Sequence, residues 1–423
     1  LSANAHKTLF LLKFLNHHGN TVRDLLVKGA KEYAAENGYS AAVIGDYDGF
    51  IHTSKTESTQ HMPSMNELTD STASTAGVAY CPSDPKVMVR LAESFAKGYY
   101  TTDGGTTWEV LPNVPLSGAK AAINQLEDGS YRIMLSDTGK VSYTDDFGAT
   151  WKEASLSDSL SSDIWLCVDA ENPQYVYAYG YYYNQYYFYS KPSATIDDAR
   201  YILMVSDDYG ATFSTKQTIC QYDECDNAFR IAYLGEGEFV IAAGWYGAYH
   251  VTDYGKTVTK LDSVSYAKTM GYGAPEKEGG VNSLYLWGQP TSEDPVGVYL
   301  STDAGQTWKA FNVSNTYGGP GNGNFLVGDM NTFGTVYMST VGCGIVWMSL
   351  EEGADIGNTD VTTTTTTATT AMWTSASSAA KPSSTTTPAI SWAFTTSPKR
   401  NTTAASSSCW KTFLIKGRLV ASL

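Results

Sequence analysis

The sequence predicts an all-β chain: a seven-bladed β-propeller with Asp-box repeats, followed by a disordered Thr/Ser-rich tail. Three observations lead there. An eight-residue pattern, [Ser/Thr]-x-Asp-x-Gly-x-Thr-[Trp/Phe], recurs at residues 101–108, 144–151, 206–213 and 301–308, with a worn copy at 251–258. The copies end at 108, 151, 213, 258 and 308, a recurrence near the forties with one longer gap, which is the period of propeller blades. At about 45 residues per blade, residues 40–350 hold seven units.

The repeat has the chemistry of a hairpin tip. Its Asp can accept backbone N–H groups a few residues on, and the Gly two places later permits positive φ. The hydroxyls add local bonds, and the final aromatic is free to pack between neighbouring units. This is the Asp box, and its carboxylates are expected to make turns rather than to act as catalytic acids. The worn copy, Val251-Thr-Asp-Tyr-Gly-Lys-Thr-Val258, has lost both its first hydroxyl and its aromatic.

Taken in order, residues 1–21 are an unassigned N-terminal segment. Leu9–Leu15 within it is apolar but too short to span a bilayer. The propeller is placed at 22–352, with 22–36 a strand or helix. At 41–50 a small apolar strand runs into Gly45-Asp46 and then Asp48-Gly49. A carboxylate just past a buried strand end suits a cleft, although a turn aspartate is the plainer reading. Residues 54–75 read as a polar loop, and 77–91 alternate again around the turn Pro82-Ser-Asp-Pro85. Tyr131 to Leu135 and Lys140 to Tyr143 read as strands joined through Ser136-Asp-Thr-Gly139, which has tight-turn residues. Residues 175–189 hold nine Tyr and one Phe, and are expected to form an extended hairpin on the rim.

Trp245 and Tyr246 lie between glycines in Ala242-Ala-Gly-Trp-Tyr-Gly-Ala-Tyr249, and Trp287 ends a strand at Tyr285-Leu-Trp-Gly288. These aromatics, with Tyr317 of the glycine-rich stretch 315–325, are the candidate substrate-binding residues. That stretch has no Lys-Ser/Thr ending and is not a phosphate loop. After 353 the composition shifts to Thr, Ser, Ala and Pro, with residues 362–367 all Thr. No core forms from such a segment, so 353–408 is expected to be a disordered, O-glycosylated linker. Residues 409–423 are a short tail with one Cys, too little for a disulfide-stapled binding module.

Composition narrows the partners. A net charge of −15 argues against nucleic acid, because no basic surface replaces the counterions. Aromatics make up 13% of the chain, including 30 Tyr and 10 Trp. An acidic, aromatic-rich, charge-poor β protein suits neutral polysaccharide, with strand packing accounting for most of the tyrosines. Six Cys without a CxxC pair give no zinc site, and no metal or cofactor is expected. Cys220 and Cys225 are spaced to bridge a hairpin, a pairing that spacing alone does not fix. Asn312-Val-Ser and Asn401-Thr-Thr are glycosylation acceptors in a secreted chain. No membrane association is expected, and the chain is expected to be monomeric and extracellular.

Several segments together carry a resemblance: Gly45-Asp-Tyr-Asp-Gly-Phe-Ile-His52, Tyr80-Cys-Pro-Ser-Asp-Pro85, the stretches 98–108 and 297–308, Tyr317-Gly-Gly-Pro-Gly-Asn-Gly-Asn-Phe325, and 328–345. With these the chain resembles the glycoside hydrolase family 74 xyloglucanases of fungi and bacteria, specifically their C-terminal half. The likeness covers about residues 22–349, and the Thr/Ser linker fits fungal members. It implies a pair of seven-bladed propellers around an open cleft, hydrolysing xylose-decorated β-1,4-glucan with inversion. It further implies one catalytic Asp from each propeller, the second in a Gly-Asp-x-x-Gly-Phe context. Gly45, Asp46, Gly49 and Phe50 match that context, making Asp46 the general acid by analogy. An inverting enzyme needs its other carboxylate several ångströms away to activate water. The acid must hold its proton at working pH, through burial or a neighbouring carboxylate such as Asp48. Nothing before Val22 resembles an N-terminal propeller, so weak or no hydrolysis is expected of this chain by itself.

Three other readings compete. A sialidase also carries Asp boxes but needs an arginine cluster, and the seven Arg here are scattered. A protein-binding propeller of the sortilin type needs more blades and a Cys-rich module. A non-catalytic polysaccharide-binding propeller, stacking glucose rings on Trp245, Tyr246 and Trp287, is the main alternative.

Overall fold

In the computed structural model, residues 62–350 are described apart from 70–74, 94, 138, 161–163, 184–198, 222–229, 313–320 and 341–344, and outside that span only strands are described. The chain forms two compact units, Leu1–Met372 and Trp373–Leu423. The first contains the repeats.

Six antiparallel sheets follow one another along this unit. The first has strands Thr75–Tyr80, Met88–Ala92, Gly98–Thr101 and Glu109–Val110. The second has Lys120–Gln125, Tyr131–Asp137, Lys140–Thr144 and Lys152–Glu153. The third has Trp165–Val168, Val176–Tyr183, Ala199–Ser206 and Thr212–Gln221, with Ser155–Leu156 added in parallel at its edge. The fourth has Arg230–Gly235, Glu238–Ala242, Ala248–Thr252 and Thr257–Leu261, and the fifth Tyr266–Gly273, Ser283–Gln289, Gly297–Ser301 and Lys309–Asn312. The sixth has Gly321–Gly328, Thr335–Thr340, Ile345–Leu350 and Thr363–Thr367. Each is a meander in which sequential strands pair, as short hairpin connections favour. A three-stranded sheet, Ser40–Val43, Gly49–His52 and Gln60–His61, precedes the first. Against the expected seven blades, six sheets of four or more strands lie among the described residues.

The core shows how the sheets stack. Five hydrophobic clusters are each shared by two consecutive sheets. Leu91 and Leu111 meet Ile123 and Ile133; Met134 and Val141 meet Val176 and Met204. Tyr177 and Leu203 meet Phe239 and Val251; Ala232 and Val240 meet Leu284 and Tyr299. Tyr285 and Phe311 meet Leu326 and Met348. Sheets stacked face to face in sequence order are the blade arrangement that the repeat spacing predicts. The middle strands are sandwiched between neighbours, which is why all of Met88–Ala92 and Gly297–Ser301 is buried.

Two expectations are refined. The turn around Ser136 is a hairpin in which Asp137 pairs with Lys140, and Gly139 takes φ 68°. Thr363–Thr367, expected to be disordered linker, instead pairs with Ile345–Leu350 as the outer strand of the sixth sheet. An edge strand needs backbone pairing and β-propensity rather than a core-forming side-chain set, and Thr supplies the propensity.

Candidate functional site

The Asp boxes occupy the turn between third and fourth strands. In each intact box the first hydroxyl is buried and does two things. Ser301 Oγ donates to Asp303 Oδ1 (2.7 Å) and accepts the Gly305 N–H (2.9 Å). Asp303 in turn accepts the Thr307 N–H (2.9 Å) and hydroxyl (2.6 Å). The same four bonds recur around Asp103, Asp146 and Asp208. Hydrogen bonds from Thr150, then Thr144, hold the Asp146 carboxyl down at about 2. At Asp103, Asp208 and Asp303 burial pushes upward, but bonds from the same box positions outweigh it and the pKa falls. Carboxylates held ionised and saturated by their own turn are poor proton donors, so these four are structural.

Three of the boxes are also gripped by residues in, or just after, the preceding sheet. Asn113 Nδ2 donates to the Gly148 and Ala149 carbonyls (3.3 and 3.2 Å), and Arg132 Nη1 to those of Asp208 and Tyr209 (3.3 and 3.4 Å). Ser263 Oγ donates to the Gly305 carbonyl. A buried carboxylate of a different kind links sheets directly. Asp169 accepts the Glu171, Asn172 and Gly237 N–H groups and the Tyr177 and Tyr233 hydroxyls, at 2.7–3.1 Å, across the third and fourth sheets. Burial first, and then this carboxylate, push both tyrosine hydroxyls far above their usual range, so they remain donors. Asp329 repeats part of the pattern, accepting the Asn331 and Thr332 N–H groups (2.9 Å each) and the Tyr337 hydroxyl (3.0 Å). The signal was present in the sequence, as Asp169…Val176-Tyr177 and Asp329…Val336-Tyr337 at equal spacing, but it is sparse and is easily read as ordinary turn chemistry.

The opposite end of the fourth sheet, the turn between its second and third strands, carries the exposed aromatic. Trp245 is 58% exposed. Its indole stacks on Tyr266, the first residue of the fifth sheet, with centroids 4.1 Å apart and planes at 29°. The turn is tightly built. Gly244 and Gly247 have φ 57° and 83°, and a Cβ at Gly247 would strike the Val264 carbonyl oxygen. Gly244 and Ala267 exchange both backbone hydrogen bonds (2.9 Å each), fixing the turn to the next sheet.

The other sequence candidates fall differently. Tyr246 is half-buried and packs on the cluster between third and fourth sheets. Trp287 is a correction: it is 6% exposed, in the cluster of the fifth and sixth sheets, because its strand is sandwiched between neighbours. An aromatic near a strand end does not point to solvent when both sheet faces are covered. Asp46, Asp48 and Tyr317 lie outside the described residues. Cys220 is buried, and its proposed mate Cys225 lies outside them too. Among the described residues no group of carboxylate, His and Cys side chains has the arrangement of a metal site. No helix among them is long and apolar enough to cross a membrane. Sequence reasoning missed Tyr266, which looks like one more strand tyrosine until the turn opposite it is known.

The fold and repeats define an Asp-box β-propeller protein. The BNR/Asp-box repeat profile matches residues 99–110 and 299–310. A xyloglucanase of a Paenibacillus species is 27% identical over 360 residues, 79% of this chain and 32% of that protein. A xyloglucanase of Acetivibrio thermocellus is 26% identical over 313 residues, 72% of this chain and 33% of its own length. The crystal structure of a Niastella koreensis glycoside hydrolase family 74 enzyme superposes with TM-score 0.57 at 26% identity, covering 81% of this chain and 43% of the enzyme. The chain is thus a homologue of the family 74 xyloglucanases, and it spans about a third of the length of the curated relatives it matches.

Proposed function

We propose that the chain is one propeller of a secreted glycoside hydrolase that cleaves xyloglucan or a related β-1,4-glucan with inversion. The observation that carries this reading is the homology to xyloglucanases over 72–79% of the chain. Asp46 is the general acid in this reading, through its Gly-Asp-x-x-Gly-Phe context. The second carboxylate, which activates water in an inverting site, is not among the residues assigned here. Residues of a further propeller in a longer protein are the proposed source. Reducing-sugar release from xyloglucan by the chain, beside Asp46→Asn, tests the assignment. Release that the variant loses supports Asp46 as the acid; release that the variant retains rules it out. Weak or no release by the chain, with Asp46-dependent release in a longer protein that includes it, is the expected pattern.

A second reading, a polysaccharide-binding propeller without turnover, is favoured by one observation: the exposed Trp245 on its rigid turn. Retained xyloglucan binding, with no Asp46-dependent release in either context, would select it.

A further inference from the structure

We infer that Trp245 is a one-sided stacking platform for a pyranose ring of a β-1,4-linked glucan, and that Tyr266 is its positioning residue. The inference rests on the polysaccharide reading and adds to it which aromatic takes sugar and what holds it in place.

The argument begins with which aromatic faces are open. Several aromatics lie at the ends of their sheets opposite the Asp-box turns. Trp165 is half-buried, with the Lys120 ammonium 4.5 Å from its ring centre. Tyr182 carries the Arg200 guanidinium 5.0 Å from its ring centre. Cation–π contacts of this kind occupy a ring face. Trp245 differs: Tyr266 covers one face, and among the described residues it is the one large aromatic that is mostly exposed. Leaving an indole in water is unfavourable relative to burying it. A folded turn that holds it exposed has an immobilised apolar surface with one open side.

The geometry then limits the ligand. The indole cannot fold back, because Tyr266 lies behind it and the Gly244–Ala267 bridge fixes the turn. Gly247 accommodates a φ that other residues avoid. A rigid planar platform open on one side fits a flat apolar face. The β-linked glucopyranose, with its ring substituents equatorial, presents axial C–H groups on each face. An α-linked glucan turns its chain away from such a plane. The positioning role of Tyr266 needs only its ring, since the contact is a stack.

The test uses the full chain carrying Asp46→Asn, so that turnover does not intervene, titrated with cellohexaose and followed by tryptophan fluorescence. Trp245→Ala should bind about tenfold more weakly, the order a lost aromatic contact gives. Tyr266→Ala should lose several-fold through the freed indole, while Tyr266→Phe binds as the parent does. Trp245→Ala removes an exposed side chain and should leave the thermal midpoint in place, so a folding failure does not confuse the result. Failure of the parent to bind, or equal affinity of Trp245→Ala and parent, overturns the platform. Equal affinity of Tyr266→Ala and parent overturns the positioning role. These failures are separate from that of the hydrolase reading, which is lost if no Asp46-dependent release is found even while binding through Trp245 persists.

Discussion

The intact Asp boxes and the turn that carries Trp245 stand at opposite ends of their sheets and use glycine in the same way, but to different ends. Gly148, Gly210 and Gly305 take positive φ so that a turn can fold back on its own carboxylate. The first hydroxyl and the carboxylate there are answered within the turn, and residues in or just after the preceding sheet grip the tip. Gly244 and Gly247 take positive φ so that a turn can hold an indole outward, with one side left open. The first arrangement closes the fold, and the second leaves a surface for something else to cover. A motif that recurs along the chain is therefore the scaffold here, and the feature that occurs once is the better candidate for function.

If that contrast is right, the largest effects on stability come from the carboxylates that join sheets. Asp169→Ala leaves two buried hydroxyls and three N–H groups without their acceptor, and should cost about 4 kcal/mol or more. A urea unfolding midpoint close to that of the parent would mean that the third and fourth sheets are held by packing alone.

Next in size are the box hydroxyls, where the worn copy sharpens the comparison. Ser301→Ala removes a buried donor and acceptor and should cost about 1–2 kcal/mol. The reverse change, Val251→Ser, would restore the first hydroxyl of the worn box, yet it should also destabilise by about 1–2 kcal/mol. Val251 is fully buried against Phe239 and Tyr177, and the turn has found another lock. Tyr254 is stacked on Tyr175 at 3.9 Å and lies over Gly237, and its hydroxyl donates to Glu236. Thermal unfolding of the two variants should shift the same way; a stabilised Val251→Ser would show that the worn box is a defect rather than a replacement.

A smaller effect is the acid limb. The Asp146 pKa is lowered in the fold, to about 2. Its contribution is therefore present above the ordinary Asp pKa and is lost as pH falls from about 4 toward 2. Asp146→Asn should flatten that part of a stability–pH curve followed by circular dichroism, and leave the curve above pH 5 parallel to the parent's.

The sequence reveals the two ends of the fold unequally. The boxes were legible because a turn carries its own chemistry: hydroxyl, carboxylate, glycine and aromatic stand within eight residues. The stacked sheets followed from the spacing. Trp245 was legible through its flanking glycines, which keep a bulky residue out of the core. Trp287 was misread because its burial depends on the fifth and sixth sheets meeting over it, and nothing within a few residues records that. Tyr266 was missed for the same reason, since its partner lies in another sheet. Asp169 is read locally as a turn residue, and its bonds to Tyr233 and Gly237 span more than sixty residues of sequence.

The most direct measurement compares xyloglucan affinity in Asp303→Ala and Trp245→Ala at a temperature where both are folded, with the thermal midpoint recorded beside it. The division of scaffold and surface predicts that Asp303→Ala melts lower but binds like the parent, and that Trp245→Ala melts like the parent but binds about tenfold more weakly. Parent-like affinity in Trp245→Ala, or weakened binding in folded Asp303→Ala, would contradict it.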